Sequence, residues 1–371
     1  MTLTTTPTSP MLGEHASLGA HFTDFAGWQM PLKYDSELAE HHAVRKTAGL
    51  FDLSHMGEIA VTGPESGALL DYALAGELSK IGVGRAKYSL LCNANGGVID
   101  DLVVYRLANE HFLVVANAAN APTVYRRLAG RAESFAVTVK NQSSETALIA
   151  VQGPVAQDVV QSLVPAEQVE TVAELQYYAV TRAVVAGIDV LLARTGYTGE
   201  DGFELYVPNE QAVQLWRALL DATAARGGVP AGLACRDTLR LEAGMALYGH
   251  ELNFETNPYE AGLGKVVRLN KEFVGRDALQ TLSEQTPQRV LVGLAGTGRR
   301  AARAEYTVFD AVGKSPIGTI TSGALSPTLG HPIALAFIDV TYREPGTELT
   351  VDIRGKKESF VVTSVPFYRR H

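Results

Sequence analysis

Three polar positions lie in apolar or glycine-rich sequence, and their types suit them to hold or transform a polar ligand. Asp100-Asp101 interrupts the runs Gly96-Gly97-Val98-Ile99 and Leu102-Val103-Val104-Tyr105. Neighbouring strand residues point to opposite faces, so one of the two carboxylates is expected to turn inward. An inward acid can move a proton or stabilise developing positive charge, although a solvated carboxylate beside a hairpin is the commoner origin of such a pair. The run from Arg194 to Glu204 carries Gly196, Gly199 and Gly202 at intervals of three, as a tight turn or a close ligand approach would require. Glu204 itself sits inside a strand pattern, between Phe203 and Leu205. Arg236 lies on a short predicted helix between Gly232 and Gly244, where Asp237 and Arg240 can pair three residues apart. Arg236 has no such partner. A buried guanidinium needs a carboxylate or a planar polar ligand for its fork of donors, which leaves Glu204 or a bound molecule as candidates.

The elements that must position these groups follow from periodicity and capping. Ser36 to Thr47 reads as a helix opened by Asp35 or Ser36 and closed at Gly49. Val98 to Ala118 reads as two strands and a turn; Tyr177–Val185 and Asp189–Arg194 form a second pair, followed by Phe203–Val207. Gly153-Pro154 suits a helix start. After Asn209, Val213, Trp216, Leu220 and Ala224 recur at helical spacing up to Gly227-Gly228. Without regular strand–helix–strand alternation, the class is α+β and not a doubly wound sheet. Beyond Thr281, six short apolar runs separated by Gly and Pro predict a small closed or sandwiched β-domain, entered through the polar segment Ser283–Gln288.

Composition excludes several classes. With 371 residues, 46% of them hydrophobic, the chain is long enough for two or three domains, and no apolar run approaches the roughly 20 residues of a spanning helix. The Thr- and Pro-rich start, Met1–Pro10, has no apolar core and reads as a disordered lead-in and not as a signal peptide, which predicts a cytoplasmic protein. A formal charge of −8 argues against nucleic acid as a partner, although 11 Lys and Arg against 8 Asp and Glu make the segment from Thr281 onward mildly basic. Cys92 and Cys235 have no metal-binding or disulfide spacing and are expected to be reduced and buried. Adjacent His41-His42 lacks ligand spacing, so no metal is expected. Gly313-Lys314-Ser315 lacks the upstream glycine of a phosphate loop and reads as a turn. Gly82 and Gly84 lack the third glycine of a dinucleotide site, and Ser54 and Ser326 lack the flanking glycines of a nucleophile elbow.

Taken with Phe25-Ala26-Gly27-Trp28-Gln29-Met30-Pro31, Gly49-Leu50-Phe51-Asp52-Leu53-Ser54-His55-Met56, Val151-Gln152-Gly153-Pro154, Phe273-Val274-Gly275-Arg276 and Ile317 to Gly323, these segments resemble the glycine cleavage T-protein family along nearly the whole chain. The Lys-Gly-Cys-Tyr motif of the related iron–sulfur assembly proteins does not occur in the sequence. The resemblance implies a three-domain cloverleaf of antiparallel sheets flanked by helices, with a C-terminal β-barrel. Its domains would be residues 1–57 with 142–280, an inserted 58–141, and 281–371. It implies an aminomethyltransferase that takes a methylene unit from the aminomethylated lipoyl arm of H-protein to tetrahydrofolate, without a metal. By motif position, Asp101 would be the catalytic carboxylate, Glu204 and Arg236 would hold the pterin, and Tyr88, Tyr105, Asn117 and Tyr197 would be its neighbours. A carboxylate such as Glu204 can accept the two parallel N–H donors of a pterin edge, and Arg236 can donate to its carbonyl. The alternatives are a folate-binding sensor or assembly factor without catalysis and a folate-dependent demethylase, which would share the pterin contacts.

Overall fold

The computed structural model describes residues 7–370. The chain separates into two compact units. One runs to Leu70 and adds Leu78–Tyr88 and Leu102–Arg236; the other comprises Asp71–Glu77, Ser89–Asp101 and the chain from Asp237 onward. Mixed helices and largely antiparallel sheets make the class α+β, as the sequence predicts.

In the first unit a six-stranded sheet runs in the order Val180–Val185, Ile188–Ala193, Gly202–Pro208, Thr146–Gln152, Gly49–Asp52, Val229–Pro230. All its pairs are antiparallel except the last. The helix Asn209–Ala224 packs on the same core, but its buried face differs from the expected one. Ala212, Leu215, Trp216 and Leu219 are fully buried, whereas Val213 and Leu220 lie at the margin and Ala224 is exposed. Trp216 belongs to both readings; the tertiary contact rotates the stripe about it. The earlier helix, Glu37–Lys46, is capped by Ser36, whose hydroxyl accepts the Ala39 N–H at 3.3 Å. It stops before Gly49, which instead opens a strand.

A five-stranded sheet follows the order Arg85–Cys92, Val98–Ala108, His111–Ala116, Gly57–Thr62, Thr138–Asn141. In the second unit the six predicted late strands, Arg289–Gly296, Thr307–Phe309, Pro316–Leu325, Pro332–Asp339, Glu348–Ile353 and Lys356–Thr363, close into a barrel. Closure leaves no free edge, and alternate residues such as Leu294, Ile320, Ala336, Val351 and Phe360 fill its interior. Gly313-Lys314-Ser315 is a turn in which the Asp310 carboxylate accepts the Lys314 N–H at 2.8 Å.

Of the expected lead-in, Met1–Thr6 lie outside the described residues. Thr8 bridges Gln29, and Ser9 is buried with its hydroxyl accepting the Met11 N–H, so this end of the segment is built into the fold. Cys92 and Cys235 are buried and not in a disulfide, as expected. Among the described residues no helix is long and apolar enough to cross a membrane, and no group of three or more His, Cys, Asp or Glu could hold a metal.

Candidate functional site

The first unit gathers Tyr105, Tyr197, Glu204 and Arg236 into one constellation. Glu204 stands on the strand Gly202–Pro208, opposite Ala150 on one side and Ala193 on the other, and is half-buried. Its Oε2 accepts from the Tyr105 hydroxyl at 3.3 Å and also from Thr195 Oγ1. The Tyr105 and Thr195 hydroxyls are themselves 2.9 Å apart, and the Tyr206 hydroxyl donates to that of Tyr105 at 3.4 Å. Burial pushes both phenols well above the usual tyrosine range; Glu204 adds to the shift in both, and each phenol acts on the other's neighbourhood. Both therefore remain donors at neutral pH.

Arg236, on the helix Leu233–Glu242, lies over the ring of Tyr197 with 4.8 Å from guanidinium carbon to centroid. Its Nη1 is sealed from solvent and has no hydrogen-bond partner. Burial lowers its pKa, while the nearby Glu204 carboxylate and Tyr197 act in the other direction. A guanidinium stays protonated in proteins, so the site holds a buried cationic donor facing no acceptor. Paired with a fixed carboxylate, that donor suits a planar ligand offering both a carbonyl and adjacent N–H groups.

The segment between these residues is clamped from three directions. Arg194 grips Asp201 with two hydrogen bonds, of 3.0 and 2.6 Å, and donates to the Leu175 carbonyl at 2.9 Å. Buried Arg45 donates to the Thr198 carbonyl at 2.7 Å and to Glu200 at 2.9 Å. Gln152, fully buried, donates to the Thr195 carbonyl at 3.0 Å and accepts from Thr198 Oγ1 at 2.9 Å. Of the three glycines in this run, one serves the turn that the sequence suggested and two serve a purpose it did not. A Cβ at Gly196 or Gly202 would run into the Gln152 amide, so these two make room for a protein side chain; Gly199, at φ +81°, supplies the turn.

The remaining predicted positions are distributed as follows. Tyr88 is half-buried in the strand Arg85–Cys92, and Asn117 is half-buried just past His111–Ala116, where its carbonyl accepts the N–H groups of Asn120 and Ala121 at 2.9 Å each. In the second unit Asp100 is fully buried and Asp101 half-buried. Alternation sends Asp100 to the face of Leu102 and Val104. The Tyr248 phenol is pushed up to about 12 by burial and then by Asp100 and Asp101, and it donates to the Val98 carbonyl at 3.2 Å. Asp237 and Arg240 do pair, at 2.7 Å, but Arg240 is also buried against Glu251 at 3.0 Å and the Ser322 hydroxyl at 2.8 Å. Ser54 and Ser326 serve backbone and carboxylate partners, Leu148 N–H and Glu242.

Sequence reasoning missed three groups in the first unit. Thr195 carries no signal beyond its place in the glycine run. His55 is buried with Nδ1 unpartnered, its pKa lowered to about 4 by burial and then by Arg236, so it is neutral above mildly acidic pH. Glu58 is buried with neither carboxyl oxygen hydrogen-bonded, and its signal was available: an acid inside the apolar run Gly57-Glu58-Ile59-Ala60-Val61.

Comparison with known proteins gives two family matches, the GCVT N-terminal domain over residues 11–271 and the glycine cleavage T-protein C-terminal barrel domain over residues 289–369. The chain is 55% identical to an aminomethyltransferase of Cutibacterium acnes, covering 99% of this chain and all of that one. It is 56% identical to one of Streptomyces avermitilis over 96% of each. The crystal structure of the glycine cleavage system aminomethyltransferase T from Bartonella henselae superposes with a TM-score of 0.90 at 38% identity, covering 98% of both chains.

The packing around Gln152 gives a stability test. Gly196→Ala should destabilise the protein by about 1 to 3 kcal/mol through overpacking, since a Gln152 amide bonded at both ends cannot swing away freely. Adding Gln152→Ala should make the cost of Gly196→Ala smaller, as read from denaturant midpoints in a double-mutant cycle. Equal costs in both backgrounds would show that Gln152 is not what the glycine accommodates.

Proposed function

Because the chain belongs to the glycine cleavage T-protein family, it is an aminomethyltransferase of the glycine cleavage system, and we propose that Glu204 and Arg236 hold the pterin of its tetrahydrofolate substrate while Asp101 acts in the chemical step. The observation that carries the pterin assignment is the unpaired Nη1 of Arg236 near a carboxylate already fixed by Tyr105 and Thr195. The hydroxyls set the plane of Glu204, which then accepts the amino group and the adjacent ring N–H. Arg236 donates to the ring carbonyl, and Tyr197 keeps the guanidinium in place from below. Tyr88 and Asn117 are the further candidate neighbours.

Tetrahydrofolate supplies the N5 amine that receives the methylene unit from the aminomethylated lipoyl arm of H-protein, with ammonia released. What the protein must add is orientation of two large substrates and stabilisation of positive charge as it develops. Asp101 is suited to the second task as a half-buried carboxylate near a protonated phenol, Tyr248. For the carrier, the barrel presents a cavity of about 480 Å³ lined by Arg300, Arg303, Arg354 and Lys356 with Tyr306 and Ile353. Arg300 pairs with Glu358 at 3.3 Å, and Lys357 pairs with Asp352 at 3.6 Å and lies over the Phe309 ring, so part of the basic charge of this region is already offset within the barrel. The basic cavity is the face we assign to an acidic carrier protein.

Ammonia release from lipoylated, aminomethylated H-protein in the presence of tetrahydrofolate is the direct assay. Asp101→Asn, which keeps shape and removes charge, should lower turnover by roughly a hundredfold or more with a smaller loss of folate affinity. Full activity in Asp101→Asn combined with an inactive Asp100→Asn would reverse the assignment within the pair.

For Glu204→Gln, calorimetry should read a loss of roughly ten- to a hundredfold in tetrahydrofolate affinity, because an amide replaces one acceptor by a donor. Unchanged affinity removes Glu204 from the pterin site.

Carrier docking on the barrel requires that apparent affinity for H-protein weaken with salt, and that Arg300→Ala and Arg354→Ala flatten that dependence. Indifference to both places the carrier on another face.

A further inference from the structure

Glu58 is used by none of the steps above. It stands on the strand Gly57–Thr62, opposite Val115 of His111–Ala116. Val115 in turn faces Val103, and Leu113 lies between Ala60 and Tyr105. Register therefore puts Glu58 on the sheet face that carries Tyr105, one pair along. The residue is 1% exposed, and both carboxyl oxygens are sealed from solvent without a hydrogen bond. The titratable groups around it are Glu204 and Tyr206 on the strand Gly202–Pro208 and Tyr105 on Val98–Ala108. Glu204 acts on Glu58, and Glu58 and Glu204 both act on Tyr206.

An ionised carboxylate with no hydrogen bond and no water is the most costly form a buried acid can take. Two carboxylates close together in such surroundings cannot both ionise readily, so one holds the proton. Glu204 accepts hydrogen bonds from two hydroxyls, which suits the charged form; Glu58 accepts none from any other residue, which suits the neutral one. Burial raises the Glu58 pKa well above the usual carboxylate range; its own backbone N–H opposes the shift, and the Glu204 charge adds to it.

We propose that Glu58 is a positioning residue of the pterin site, a carboxyl kept neutral beside Glu204 so that Glu204 remains the single anion available to the N–H edge of the ligand. This rests on the pterin reading of Glu204. Ionisation of Glu58 would place a second negative charge in the pocket, and Glu204 would lose its advantage as acceptor. Tetrahydrofolate binding should then fall on the alkaline side for a reason that lies in the protein and not in the ligand.

The isostere Glu58→Gln copies the neutral form, which makes it the informative variant. Infrared spectroscopy of the full-length protein without folate should show, near neutral pH, a protonated-carboxyl C=O band that is missing from Glu58→Gln. By calorimetry, Glu58→Gln should bind tetrahydrofolate within about twofold of the unsubstituted protein at pH 7. It should also lose part of the alkaline decline. Tyr105, Tyr206 and the pterin titrate in both proteins, so only the difference between the two profiles reports on Glu58.

Absence of the infrared band, or a tenfold weaker Glu58→Gln at pH 7, would mean that Glu58 works as an anion and overturns the proposal. Superimposable pH profiles would likewise remove its coupling to Glu204. Because the infrared measurement needs no folate, and Glu204→Gln is tested separately, failure of this inference is distinguishable from failure of the pterin assignment.

Discussion

A guanidinium and a carboxylate that share a half-buried region usually close on each other, and the first unit of this protein is built so that Arg236 and Glu204 do not. Among the described residues no ion pair joins them, although each lies within reach of the other's charge. Glu204 is committed to Thr195 and Tyr105, and Arg236 to the face of Tyr197. An unpaired buried donor costs about 1 to 3 kcal/mol, a cost that a binding site recovers when a ligand supplies the acceptor. A closed Arg–Glu pair would have been more stable in the empty protein and useless for recognition. The separation leaves both groups open to a ligand, as the proposed pterin site requires.

Keeping the two groups apart depends on rigidity in the backbone between Arg194 and Glu204. That segment has few apolar side chains to anchor it, so polar groups from distant parts of the chain do so. Arg45 comes from a helix about 150 residues earlier in sequence, and Gln152 from the adjacent strand. Both reach carbonyls in the turn, which would otherwise be free to reorient. The anchoring fixes Thr195, which in turn fixes the carboxylate. Position at the ligand-facing atom is thus inherited through a chain of hydrogen bonds that begins in the core.

Charge state follows from the same arrangement. Tyr105 and Tyr206 remain protonated because they are buried near Glu204, and His55 remains neutral because it is buried near Arg236. Each is uncharged, so the net electrostatics of the pocket come from one cation and the carboxyls. In low-dielectric surroundings this economy matters, since every additional charge would alter the preference for a neutral, polar ring such as the pterin proposed for this site.

Sequence alone determined what depends on neighbours along the chain. Six apolar runs punctuated by Gly and Pro specified the barrel strands, Asp35-Ser36 marked a helix start, Glu204 stood out as a charge in an apolar strand pattern, and Arg236 as a helix charge without a partner along the chain. The likeness of motifs then carried roles to Asp101, Tyr88 and Asn117 that spacing could not supply. Tertiary structure decided what depends on pairing between distant strands: that Thr195 and Tyr105 share an oxygen of Glu204, that the glycines at 196 and 202 admit Gln152, that the helix after Pro208 buries the Leu215 and Leu219 side of Trp216, and that Glu58 shares the sheet face of Tyr105. Strand register is the physical reason. A shift of one residue would send each of these side chains to the opposite face, and nothing local in the sequence records which register the completed sheet adopts.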